Sequence, residues 1–352
     1  MAIVSYKEER TKRNTNIELL RIFAMFIIIL HHFVVHSDIL NSVYLCGIPK
    51  IYIYLIQLGG PIGIDIFVLI SGYFLINQEK SKISKILLLW LQILFYSLSI
   101  YLLSCILNNE KILSPILINI VMSITYNNWW FASAYFCLYI FSPYINKLLK
   151  SLDKKTYEFI IIVVFIMWCI IPTVTGSFFQ SNRLLWFIFL YSVSSYIRIY
   201  EELIKDFKKS IFAIITFLTI AFTILAKLIF EKNALLNNHI EHFLCDAQSL
   251  NIFIIAVSVF CFFIKLDIKQ SKVINTIAST SFGVYLIHEN NYVRDFIWKK
   301  AFNILNYADS ILIIPYSIFV ALIIYCLCSL VELLRQRLLE RLYIEKIKKF
   351  ER

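Results

Sequence analysis

Arg21 and His32 are the residues that fit their surroundings least, because both lie in the apolar run that follows Asn16. An ionisable group in such a run is costly and is a functional candidate by default. If the run is helical, their eleven-residue separation is close to three full turns. The guanidinium and the imidazole then share one face, roughly 16 Å apart along the axis. Such a pair cannot grip one atom, but it suits the two ends of one long ligand. His36 continues the same face by a turn, and His31 points elsewhere. Plainer readings stand beside these. An arginine one turn inside a membrane boundary can snorkel, an imidazole can be a satisfied core residue, and Glu18 follows Thr15 at capping-box spacing. A second apolar run holds Asp65 among Gly59, Gly60, Gly63 and Gly72. Those small residues allow close helix approach, so its carboxylate could orient an imidazole or pair with Arg21.

The elements that must position these groups are read from composition and periodicity. The chain has 352 residues, 60% of them hydrophobic and 16% charged, with a mean hydropathy of +0.75. Soluble domains carry about a quarter charged residues, so this composition requires lipid. Apolar runs at roughly 17–37, 60–77, 83–107, 129–149, 157–172, 184–200, 211–230, 247–265, 275–291 and 309–332 predict about ten transmembrane helices in an all-α polytopic fold. Segments 44–58 and 112–125 are apolar too, and we read them as interfacial or re-entrant. The chain is expected to be a single membrane domain over 1–352 with no soluble domain attached.

Basic residues gather in alternate connecting segments: Lys80, Lys82 and Lys85, then Lys147, Lys150, Lys154 and Lys155, then Arg198, Lys205, Lys208 and Lys209. The intervening segments hold few, such as Lys50, Lys111 and Arg183. By the positive-inside rule both termini are cytoplasmic, the N-terminus as 1–16 and a basic amphipathic tail as 333–352 on the lipid surface. The net charge of +11 is thereby spent on topology, and no basic stripe with interleaved aromatics points to nucleic acid. No cleavable signal peptide is evident. Eight scattered cysteines form no CxxC pair, which disfavours a disulfide framework or tetrathiolate site. His239, His242, Cys245 and Asp246 cluster in one outward loop, but exposed loop residues are the expected reading, and no metal is expected.

Four motifs then fall in order along the chain. Arg21 is followed after ten residues by His32. The run Gly63-Ile-Asp65-Ile-Phe-Val-Leu-Ile-Ser71-Gly72 comes next, then Trp129-Trp-Phe-Ala-Ser-Ala-Tyr135 running on to Pro143, then Ser281-Phe-Gly-Val-Tyr-Leu-Ile-His288. Together they resemble the membrane acyltransferase-3 family. The resemblance implies ten transmembrane helices in a bacterial cytoplasmic membrane. It also implies transfer of an acyl group, usually acetyl, from cytoplasmic acetyl-CoA to a cell-surface polysaccharide or lipid-linked glycan. The family's essential arginine and histidine map onto Arg21 and His32. Its Ser-Gly motif maps onto Ser71, and where many members carry an arginine pair this chain has Lys82 and Lys85, which keep the charge but lose bidentate phosphate recognition.

On that reading His32 is the general base, with an acyl-histidine as a variant, and Arg21 binds the CoA arm or its phosphates. Asp65 orients His32, Lys82, Lys85 and Ser71 assist the donor, and His288, Trp129 and Tyr135 contact the acceptor. A transporter or flippase of an envelope glycan is the rival reading, since intramembrane His, Arg and Asp also serve proton relays.

Overall fold

The computed structural model describes residues 14–42, 45–237, 239–340, 342 and 347. The segment 1–13 and most of the basic tail from 341 onward, to which the sequence assigns cytoplasmic roles, lie outside the described residues. Helices carry the fold, and no strand occurs among the described residues. Seven helical stretches are long and apolar enough to cross a membrane: Thr15–Val35, Gly47–Leu75, Ile83–Asn108, Lys154–Thr175, Lys209–Phe230, His242–Ile264 and Ile313–Glu340. The other three expected spans are helices of a different character. Trp130–Ser151 carries Ser142, Asn146 and Lys147, which lower its hydropathy, Arg183–Ile199 is only 17 residues long, and 275–291 is broken. Each of these three turns one face to the protein interior or a cavity, where polar side chains such as Asn146 and Ser281 find partners.

Helix α1 (Thr15–Val35) stands at the centre. Around it pack α2 (Gly47–Gln57), α3 (Gly59–Leu75), Leu250–Ile264, and three helices introduced below. The outer ring includes α4 (Ile83–Asn108), Lys154–Thr175 and Lys209–Phe230. In the last two only 11% of the apolar window is buried, so their surface is left to lipid. Asp153 caps the first of these through the amides of Lys155 and Thr156, and its hydrogen bonds, above all from the Thr156 hydroxyl, hold its carboxyl below the ordinary range.

Two features set α1 against its neighbours. A Cβ on Gly63 would lie 2.7 Å from the Ala24 carbonyl oxygen, and one on Gly60 would overlap the His31 ring, so only glycine lets α3 approach this closely. The second feature is helix discontinuity. Leu58 alone interrupts α2 and α3, so within the segment read as interfacial or re-entrant at 44–58 the structure has a half-helix, buried on one face, that continues into the next. The span at 275–291 divides into α7 (Lys272–Ala278) and α8 (Ser281–His288) at Ser279 and Thr280. Irregular backbone at membrane depth survives where protein or a cavity satisfies it. Here the Gln57 carbonyl accepts a hydrogen bond from His31 Nδ1, and the Ser279 carbonyl accepts one from Gln336 Nε2 at 3.1 Å.

Buried polar groups staple the remaining contacts. Asn146 Nδ2 donates to the carbonyls of Leu75 and Gln78, capping the end of α3, while Tyr191 Oη donates to its Oδ1 at 2.6 Å. Glu332 accepts from Tyr96 Oη at 2.6 Å, from Gln92 Nε2 and from Arg335, tying α4 to α9 (Ile313–Arg335). A carboxylate this deeply buried is tolerable because every partner is present.

Candidate active site

A cavity of about 390 Å³ runs beside α1, with Arg21 at one end and His32 and Glu289 at the other. The three-turn spacing puts both α1 residues on its wall. Between them the lining is mostly apolar, with Met25, Ile28, Phe67 and Leu89 among its side chains. The helix α5 (Trp130–Ser151) closes one side with Phe131 and Tyr135. The broken α7–α8 pair closes another with Ser279, Ser281, Phe282 and Tyr285, so the break at Ser279 borders this hollow.

At the deep end four imidazoles and a carboxylate meet. His32 Nδ1 lies 2.9 Å from His288 Nε2 and 3.2 Å from Glu289 Oε2. His288 Nδ1 lies 2.6 Å from the Val284 carbonyl oxygen, which can only accept. The Nδ1 of His288 therefore carries its proton, and in the neutral ring Nε2 is an acceptor. His32 Nδ1 must then be the donor, shared between His288 and Glu289, and the unprotonated nitrogen of His32 is Nε2. Glu289 also accepts from His36 Nε2 at 3.1 Å and pairs with Arg294 at 3.4 Å. This lattice fixes the His32 tautomer from two sides. His32, His288 and Glu289 bring ligand atoms within 4.8 Å of one another, and the hydrogen bonds among them account for that closeness. His239, His242, Cys245 and Asp246 form no such group among the described residues.

Other assignments made from the sequence land differently. Asp65 is fully buried, but its Oδ1 accepts from Trp186 Nε1 at 3.0 Å and it lines neither end of the cavity. The carboxylate on His32 is Glu289, because α3 turns Asp65 away toward the helix α6 (Arg183–Ile199), while α8 ends with Glu289 beside α1. Arg21 lies 3.8 Å from Glu18 rather than near Asp65, with a third of its side chain exposed. Trp129 is buried with no hydrogen-bond partner for its Nε1 among the described residues, whereas Trp130 faces the cavity. The reason is local: Trp129 is the extended residue before α5 and Trp130 its first helical one, so their side chains diverge. His288 is fully buried and touches His32, not the cavity. Tyr135 lies on the cavity wall, as does Ser71, whose Oγ lies 3.3 Å from Tyr135 Oη and 2.9 Å from the Phe67 carbonyl. Lys82 and Lys85 stand exposed at the start of α4 and do not line the cavity.

Three wall residues escaped the sequence reading. Glu289 carried the only available signal, a carboxylate immediately after the terminal histidine of its motif. Tyr285 lies on the cavity wall, 6% exposed, with its hydroxyl buried beside the Phe131 backbone. His31, to which the helical wheel gave no role, also lines the cavity because the gap at Leu58 draws its ring inward.

Comparison with known proteins gives one positive finding. The family model described as an acyltransferase domain matches residues 14–333. No curated protein and no solved structure matches. The match begins one residue before α1, ends within α9, and so takes in every element that lines the cavity. This chain, a multi-pass all-α membrane protein, belongs to the membrane acyltransferase-3 family.

Proposed function

We propose that the chain transfers an acetyl group from acetyl-CoA, entering at the Arg21 end of the cavity, to a hydroxyl of an extracytoplasmic or lipid-linked glycan in a bacterial cytoplasmic membrane. The observation that carries this reading is the His32 tautomer. Its Nδ1 is held by His288 and Glu289, which leaves Nε2 as a free lone pair on a cavity wall. That is what a general base for an alcohol needs. The narrow apolar length between Arg21 and His32 suits an extended acyl-pantetheine arm, and the Arg21 guanidinium suits the phosphates at its far end.

In the step we envisage, His32 Nε2 removes the proton of the acceptor hydroxyl as its oxygen attacks the thioester carbonyl carbon. The imidazolium so formed is stabilised by Glu289 through Nδ1–H. Negative charge collects on the former carbonyl oxygen, and Tyr285, whose side chain lines the wall, supplies the O–H that donates to it. The carbon–sulfur bond then breaks, the thiolate leaves, and the proton on His32 Nε2 passes to sulfur. The products are an O-acetyl ester and CoA thiol, and the enzyme returns to its starting tautomer.

The test uses membranes containing the protein, acetyl-CoA and a thiol reagent, with base-released acetate measured on the surface glycans of the same cells. Transfer is expected from the natural chain and none from His32→Ala at equal membrane content. Full activity in that variant would refute the base assignment.

A further inference from the structure

A second cavity, of about 820 Å³, lies along the adjoining face of α5. The helix divides them by its own periodicity: Phe131 and Tyr135 face the Arg21–His32 cavity, while Ser133, Ala134 and Cys137 face the second one. Trp130, His31 and Ile64 line both, so the two hollows meet at a waist built from those three residues. The remaining walls come from Pro61 at the start of α3, from Asn127, from the segment 178–182 with the first turns of α6, and from residues 245–248. Those segments belong to the end of the bundle away from Arg21, near which His31 and His32 stand on α1.

We infer that this second cavity is the vestibule through which an uncharged, polyhydroxylated sugar chain presents its hydroxyl to His32, with His31 and Trp130 forming the gate between acceptor and donor. The inference rests on the acyl-transfer reading above and adds to it a separate acceptor site. Three features of the lining point to a neutral sugar. Its charged side chains are a single guanidinium, Arg183, and a single carboxylate, Asp246, so the space offers no net field to a polyanion. The polar remainder is neutral: Asn127, Ser133, Ser181 and Gln248 supply amides and hydroxyls of the kind that fix sugar hydroxyls. The aromatic surface is positioned rather than loose, because the Arg183 guanidinium carbon lies over the Trp130 ring, 4.2 Å from its centre. At the waist His31 donates Nδ1–H to the Gln57 carbonyl, which leaves its Nε2 to accept from an incoming hydroxyl beside the His32 ring, 5.5 Å away centre to centre.

A bulky residue in the vestibule should therefore stop the acceptor without touching the donor. In Ala134→Trp, base-released acetate on the surface glycans should fall by about tenfold or more, since acceptor positioning is lost. Binding of labelled acetyl-CoA to the purified protein should stay within about twofold of the natural chain, because the donor cavity is intact. Leu148→Trp, on the lipid-exposed face of the same helix, should change neither. Should Ala134→Trp fail to accumulate, Ala134→Cys in a chain whose own more exposed vestibule thiol is removed by Cys137→Ser answers the same question in a folded protein. A membrane-impermeant thiosulfonate reagent added outside the cells should cut the acetylation rate about tenfold relative to the same cells before addition. Undiminished acetylation in either format, or loss of acetyl-CoA binding in Ala134→Trp, overturns the vestibule. A natural chain that releases no CoA from acetyl-CoA overturns instead the acyl-transfer reading beneath it.

Discussion

Replacing Glu289 by glutamine separates the two jobs that the deep end of the cavity performs on His32. The carboxylate lies 3.2 Å from Nδ1. For full unit charges at that distance and an effective dielectric of about 20, Coulomb's law gives about 5 kcal/mol. The net worth of a hydrogen bond to a charged group is smaller, about 1.5–3 kcal/mol, because solvent and neighbours compensate in part. Proton transfer to His32 exposes that difference in the transition state, so kcat should fall roughly 10- to 150-fold. The loss should stop there. In a serine-protease triad the analogous acid-to-amide change costs about ten-thousandfold because the imidazole adopts the wrong tautomer. Here His288 Nε2 independently holds the Nδ1 proton at 2.9 Å, so the tautomer survives. The assay is single-turnover release of CoA thiol from acetyl-CoA, with the acetyl-CoA KM measured alongside and expected to hold, since Glu289 lies at the far end from Arg21. A kcat unchanged in Glu289→Gln would refute the role of the carboxylate. A collapse equal to that of His32→Ala would refute the claim that His288 secures the tautomer by itself.

Four further outcomes follow from the same geometry. Arg21→Ala should raise the acetyl-CoA KM about tenfold or more with a smaller change in kcat, as loss of a phosphate contact does, and an unchanged KM would count against its assignment. Tyr285→Phe removes only the hydroxyl and should lower kcat by about a hundredfold, since that hydroxyl meets the oxyanion; near-natural kinetics would remove it from the mechanism. Asp65→Ala leaves the buried Trp186 Nε1 without its acceptor and should cost about 1–3 kcal/mol of stability in a thermal-shift assay, while detergent-stable protein that survives should keep its catalytic pH profile. Chelator treatment should leave CoA release unaffected, because His32, His288 and Glu289 are satisfied by one another, and restoration of activity by added zinc after chelation would contradict this.

The sequence by itself determined the class of the protein and the axis of its site. Apolar runs in an all-helical pattern require lipid, and a run with arginine and histidine three turns apart places both on one face whatever surrounds them, since helix periodicity is a local property. The points it left open or mistook were those where local signals are silent. Periodicity cannot choose between an interfacial and a re-entrant 44–58, or show that only Leu58 parts α2 from α3, because such apolar half-helices have the same composition. Nor can it tell Trp129 from Trp130, since a one-residue difference in where α5 begins sends the two rings in different directions.

Only the tertiary structure decided which carboxylate serves His32. Asp65 and Glu289 are both acids near apolar segments, but partnership depends on how α3 and α8 dock against α1. The glycines of α3 draw that helix in along Ile28 and His31, while Asp65 points toward Trp186. The break between α7 and α8 lets the end of α8 set His288 and Glu289 against His32, contacts that span more than 250 positions of sequence. A pairing at that distance along the chain leaves no trace in spacing. It exists because the helices pack one way and because a buried imidazole must find a partner for its proton.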